Sequence, residues 1–422
     1  MPTASANEHV NRYAPAPDGP SGTRLPLAGL LALFTAAFTA VMTELLPAGL
    51  LPRMGDGLGV PESRVGFLVT GYAAASFLAA IPLTAALRGL PRRPILIGAL
   101  LGFAVCNAVT ALSSSYSLTF GARLLAGAMG GTLWAMLAGY ASRMVPPERR
   151  GSAIAIVLAG ITVALAAGIP AGTALAAAVG WRAAFGTVAV LGLAVAAWVR
   201  WKVPDFPGEP AAGRAPLRRI AAKPGIAPVL AVTLFLLLGH QAVYTYLAPL
   251  TERSGFGRTG LVLAVFGVAT VAGIWAAGTL ADRHLRASLL GALAVTATAL
   301  LALGAAGRNG VVLIVAVALW GAAFGGAPTL IQTALVDVSG PADADVATAL
   351  QATVYNAGIA AGSLAGGVVL DNAGAGALPW TALPLVLGAL TVVLLAVRHA
   401  FPAPARRAAA AGRTPRISPG GS

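Results

Sequence analysis

Two ionisable side chains stand where nearly every neighbour is apolar. Glu44 lies near the end of the run from Leu25 to Leu51, and Arg123 near the start of a later one. A charge inside such a run costs about 2.5–3.5 kcal/mol on membrane-insertion scales, so function is its default explanation. A carboxylate there needs a proton, a cationic partner or a water-filled cavity, and Arg123 is the candidate cation. Other chemistry is thinly supplied. No HExxH, CxxC, GxSxG or P-loop pattern occurs, and four histidines give little material for a metal cluster. The single cysteine, Cys106, cannot form an internal disulfide and reads as a small packing residue. Neither an enzyme nor a cofactor is expected.

The elements that must hold Glu44 and Arg123 follow from composition. Of 422 residues, 57% are hydrophobic and 10% charged, against about 25% charged in soluble domains. Apolar runs long enough to cross a bilayer, roughly 20 residues each, predict an all-α membrane protein. The expected spans are 27–50, 64–87, 94–112, 117–142, 152–178, 182–200, 228–250, 259–281, 287–305, 310–336, 346–370 and 379–398. Residues 1–24 and 400–422 are rich in Pro, Ala, Gly, Ser and Arg and read as disordered tails. The first tail holds Asp18 and has no signal-and-cleavage pattern, so span 1 is expected to be retained.

The net charge of +14 tempts a nucleic-acid reading, but its distribution argues otherwise. Of 28 Lys and Arg, 21 fall on the side holding both termini and six on the other, with Arg123 inside span 4. That bias places both termini in the cytoplasm and makes the bilayer, not nucleic acid, the expected partner. The longest internal polar segment, 203–227, divides the spans six and six. Halves at 25–202 and 228–399 joined by a basic linker are the arrangement of a duplicated secondary transporter.

Span 1 runs outward and span 4 inward. Glu44 and Arg123 each lie about six residues from the outer end, roughly 9 Å deep at 1.5 Å per residue. Matching depth allows a buried ion pair. Its opening would switch Glu44 between proton-loaded and Arg-paired states; the alternative is a static pair that locks two helices. Span 5 carries Gly168, Pro170 and Gly172 at its middle, where Pro removes a backbone bond and kinks the helix. Polar and aromatic residues at interior depth, namely Asn107, Trp134, His240, Gln241, Tyr244, Tyr246, Gln332, Gln351 and Asn356, would bind substrate or bridge helices. Asp337, Asp343 and Asp345 make the loop after span 10 acidic, and its pairing stays open, with a solvated loop the simpler reading.

Several of these patterns resemble those of the major facilitator superfamily, in its twelve-helix bacterial efflux branch. Gly278-x-x-x-Asp282-Arg283 is similar to the superfamily's cytoplasmic-loop motif. The first-half loop keeps Arg88, Arg92 and Arg93 but has Leu83 and Leu87 where the motif's Gly and Asp would fall. Glu44-x-x-Pro47-x-Gly49-Leu50-Leu51-Pro52, Leu68 to Tyr72, Asn107, Gly180-Trp181-Arg182 and Asn356 are similar to the efflux branch. Arg123-x-x-x-Gly127-x-x-x-Gly131 resembles the fourth-helix motif of proton-coupled exporters. The resemblance implies alternating access, cytoplasmic gating by the two loops, a hinge at Gly168, Pro170 and Gly172, and proton coupling at Glu44 and Arg123. It implies a monomer in the inner membrane exporting small, moderately hydrophobic molecules such as antibiotics. Sugar or nucleoside efflux is the alternative, and uptake by proton symport a less favoured one.

Overall fold

The computed structural model describes residues 25–401, apart from 88, 147–148, 209–216, 341–342 and 399. Among the described residues, regular structure is helical, and twelve helices are long and apolar enough to cross a membrane. In chain order they are α1 (Leu27–Leu45), α2 (Glu62–Leu87), α3 (Arg92–Leu112), α4 (Tyr116–Arg143), α5 (Ser152–Val179) and α6 (Trp181–Lys202). The second half continues with α7 (Ile226–Tyr244), α8 (Thr259–Ala277), α9 (His284–Ala306), α10 (Gly310–Ser339), α11 (Ala344–Ala373) and α12 (Leu378–Leu395). The expected spans match these within a few residues, with three differences, one being that α7 ends at Tyr244, six residues short of the expected 250. Pro47 ends α1 early in a tight turn, Leu46–Gly49, followed by the short helix Leu51–Leu58. The helical run also continues from α8 into α9 through a kink at His284 (φ −136°, ψ 34°), where the loop motif was expected.

Local chemistry sets several boundaries. Ser115 Oγ accepts the Leu118 N–H at the start of α4, and Asn309 Oδ1 accepts those of Val311 and Val312 at the start of α10. Gly180 takes φ 95°, which lets the chain leave α5 and enter α6 with no further loop residue.

The halves repeat one packing device. On α4, Gly127 faces the Tyr72 carbonyl of α2, and a Cβ on Gly131 would sit 2.6 Å from the Ser76 carbonyl. On α10, Gly325 faces the Thr270 carbonyl of α8, and a Cβ on Gly321 would sit 2.6 Å from that of Phe266. Such backbone approach needs residues without side chains and is how helices pair where lipid removes the hydrophobic drive.

The end at which α1 ends and α2 begins is called distal here; the other, where α1 begins and α12 ends, is the terminal end. The halves meet at the distal end. There Ser363 Oγ of α11 donates to the Gly66 carbonyl of α2 (3.1 Å), and the helix Leu247–Arg253 touches the Leu46–Gly49 turn. One apolar cluster runs across this seam, while a second, towards the terminal end, belongs to the first half alone. The linker is tied at both ends. Asp205 accepts the Arg93 N–H (2.9 Å), Tyr140 donates to the Pro204 carbonyl (2.7 Å), and Lys223 pairs with Asp343 (2.6 Å). The acidic loop after α10 therefore has a specific partner at Asp343 and is more than a solvated surface.

Candidate functional site

The first-half site is built from a defect that Pro47 creates in α1. Proline has no N–H, so the Thr43 carbonyl four residues back lacks its helical donor. Arg123 supplies one. Its Nη1 donates to the Thr43 carbonyl, Nη2 to that of Glu44 (2.8 Å) and Nε to that of Leu68 on α2 (3.4 Å). The Tyr72 ring lies 4.9 Å from the guanidinium carbon and adds a cation–π contact. Arg123 is 1% exposed.

The expected ion pair takes a different form. Glu44 and Arg123 come together, but the guanidinium binds backbone carbonyls, and among the described residues no ion pair joins it to the Glu44 carboxylate. Glu44 is 7% exposed and lies within electrostatic reach of Arg123, Tyr72 and Tyr355 of α11. The physical reason is geometric: Arg123 meets the proline-freed end of α1 head-on, and main-chain oxygens absorb its fork. Asn107 completes this layer, donating to Thr43 Oγ1 (2.9 Å). A buried carboxylate held beside a fixed positive charge can take up and release a proton without breaking a salt bridge.

The second half shows an aromatic layer. His240 of α7 stacks on Phe324 of α10, ring centroids 3.5 Å apart and planes 6° apart. Trp320, Tyr244 and Phe266 surround the imidazole at 5.1, 5.2 and 5.7 Å. Sequence reasoning found His240 and Tyr244 but missed Phe266, Trp320 and Phe324, which look like ordinary span residues. The four-residue spacing of His240 and Tyr244 was the available signal.

Other expected cavity residues are spent elsewhere. Tyr246 is fully buried in the distal seam and donates to the Ser363 carbonyl (2.8 Å), and Gln241 donates to Thr245 Oγ1 (2.9 Å). The Tyr246 bond ties the end of α7 to α11, while the Gln241 bond stays within the end of its own helix. Asn356 donates to the Ala352 carbonyl one turn back (3.0 Å), Gln332 is exposed, and Trp134 is half-buried between the two apolar clusters. Gln351 donates to Thr233 Oγ1 of α7 (3.4 Å).

In α5 the turn Ala164–Gly168 widens to a π-helix directly before Pro170. On one side a Cβ at Gly168 would meet Met42 Sδ at 2.6 Å, and at Gly172 the Leu46 Cδ1 at 2.7 Å, both on the α1 side. On the other side, a Cβ at Gly267 of α8 would lie 2.5 Å from the Leu165 carbonyl. The widened turn is thus clasped between α1 and the opposite half. Of the loop residues, Arg92 and Arg93 bind the linker through their main-chain N–H groups. Arg88 and the side chains of Gly278, Asp282 and Arg283 lie outside the described residues.

Known proteins agree with this architecture. The family model described as Major Facilitator Superfamily matches residues 33–363 and 257–419. The purine ribonucleoside efflux pump NepI of Escherichia coli (strain K12) is 29% identical over 353 residues, covering 81% of this chain and 88% of its own. The NepI of Shigella dysenteriae serotype 1 is 28% identical over the same length. Among solved structures, the human organic anion transporter MFSD10 superposes with a TM-score of 0.65 at 18% identity, covering 89% of this chain and 100% of that one. A bacterial homolog of the human lysosomal transporter Spinster, inward-facing and unoccupied, gives 0.63 at 17% identity, covering 90% and 97%. The chain belongs to the Major Facilitator Superfamily and is a multi-pass membrane transporter of its efflux type.

Proposed function

We propose that the protein is a proton-coupled exporter of purine ribonucleosides or closely similar flat, polar solutes. It works as a monomer in the bacterial cytoplasmic membrane with both termini in the cytoplasm. The observation that carries the coupling is the buried Glu44 carboxylate, held beside an Arg123 whose donors are committed to carbonyls. A carboxylate that keeps its proton-accepting oxygens free can load and unload as the two halves rock, biasing one state against the other. The substrate class is supported by the resemblance to the purine ribonucleoside efflux pumps over most of the chain. The distal seam, closed by Tyr246, Ser363 and Gly66, supports an inward-facing state in which a cytoplasmic solute enters first. The orientation itself is supported by the 21-to-6 charge bias.

The test uses inside-out vesicles with an imposed pH gradient and a radiolabelled purine ribonucleoside. Wild type accumulates it only while the gradient lasts. Glu44→Gln loses gradient-driven accumulation but keeps counterflow exchange. Undiminished, gradient-dependent accumulation by Glu44→Gln would sink the coupling role. The second reading, export of moderately hydrophobic drugs, is favoured by the five clustered rings of α7, α8 and α10. A susceptibility panel in an efflux-deficient host, with protection by wild type and none by Glu44→Gln, would establish it.

A further inference from the structure

Three features of the second-half aromatic layer are poor design for a plain core. The His240 and Phe324 rings overlap as a face-to-face sandwich at 3.5 Å, whereas aromatic pairs prefer offset or edge-on contacts with centroids about 4.5–7 Å apart. His240 Nδ1 is buried without a hydrogen-bond partner, and so is Trp320 Nε1. Both belong to side chains at least nine-tenths buried, at 5% and 0% exposed. Buried polar atoms are normally satisfied, and each exception asks for a reason.

We propose that this layer is the seat for the flat heteroaromatic ring of the transported solute, with Phe324 holding the stacking position when the solute is absent. This deepens the nucleoside reading and rests on it. A purine-like ring would relieve all three defects together. Its polarised face stacks on imidazole better than a benzene ring does. Its ring nitrogens accept from Trp320 Nε1, which is a donor only. His240 Nδ1, donor or acceptor according to tautomer, meets either a ring nitrogen or an exocyclic amino group. The way in is by Phe324, which with His240 is the least enclosed of the five rings, at 7% exposed against 2% for Tyr244, 1% for Phe266 and 0% for Trp320. Phe324 precedes Gly325 and Gly326, which present no side chain to obstruct its swing. The ribose is left to the polar layer around Glu44 and Asn107 of the first half, which Tyr355 of α11 faces from the second. A sugar alone has no face for this seat.

The experiment compares wild type, His240→Phe and Trp320→Phe, each keeping an aromatic ring but losing the polar atom. Proteoliposomes are assayed with a purine ribonucleoside, its 3-deaza and 7-deaza analogues, and free ribose; size-exclusion elution and thermal unfolding check the fold. Both variants should raise KM about tenfold, the value of one hydrogen bond, with maximal rate within about twofold. Wild type should discriminate at least one deaza analogue about tenfold, and Trp320→Phe should not. Unchanged KM and retained discrimination in a well-folded Trp320→Phe overturn the seat while leaving nucleoside export standing. Wild-type vesicles that carry no purine ribonucleoside overturn the functional reading and the seat with it. Should His240→Phe fail to fold, Trp320→Phe carries the decision alone.

Discussion

The two halves share a backbone plan and differ in what they bury at its centre. α4 lies on α2 through Gly127 and Gly131, and α10 lies on α8 through Gly321 and Gly325, each glycine set against a partner carbonyl. Beside the first pair sit Arg123, Glu44, Asn107 and Thr43, bound by hydrogen bonds; beside the second sit five rings bound by stacking. Helix packing is thus preserved in both copies, while the chemistry is divided, charge in one and flat apolar surface in the other. The proposed function, coupling an ion to an organic solute, calls for both, and a fold of two similar halves supplies two places to put them.

Substitutions separate the shared plan from the divided chemistry. The largest effect is expected at Arg123. Arg123→Ala leaves the carbonyls of Thr43 and Glu44, at the proline-broken end of α1, buried and short of a donor, at about 1–3 kcal/mol each, and removes a longer bond to the Leu68 carbonyl. It should abolish transport and sharply lower the folded fraction recovered in detergent. Arg123→Lys should rescue little, because an ammonium is a point charge without the planar fork. Folding as well as wild type would mean that the carbonyls at the end of α1 do not need it.

The glycines test the common plan. Gly127→Ala and Gly325→Ala each push a methyl into a backbone carbonyl on the facing helix. Overpacking of this kind costs about 1–3 kcal/mol, and the losses in thermal stability should be similar. A cost confined to one half would break the equivalence of the two glycine pairs. Ser363→Ala removes the bond to the Gly66 carbonyl and should weaken the distal seam by about 1 kcal/mol. Thiol labelling of a cysteine placed at Phe67, which packs beside Gly367 in that seam, should speed up. The smallest effect belongs to Lys223 and Asp343, 33% and 27% exposed. A double-mutant cycle should give a coupling of about 0–1 kcal/mol, as for other surface pairs.

The spans were legible because each helix is an apolar run bounded by Arg, Pro or Gly, and bilayer thickness fixes the length such a run must have. Glu44 and Arg123 were legible as neighbours because depth follows from counting residues along a helix of known rise. Counting could not reveal what Arg123 binds, since its acceptors are main-chain oxygens that every residue carries. They become available only because Pro47 withholds one donor. The rings of Phe266, Trp320 and Phe324 were hidden for a related reason. In a membrane span an aromatic residue facing the bundle and one facing lipid obey the same hydropathy. Tyr246 misled in the opposite direction: a polar aromatic at interior depth suits a cavity, but the seat formed by Gly66 and Gly367 draws it into the seam.

The dependence of α1 on α4 also sets an order of events during synthesis. The Glu44 carbonyl and its donor, Arg123, are separated by 79 residues of chain. At about 5–20 residues per second, α1 leaves the ribosome some 4–16 s before the side chain that completes it exists. Through that interval it carries a carboxylate and a proline-freed carbonyl with no donor from α4. The first helix is therefore complete in its hydrogen bonds only once α4 has been made and has packed against it.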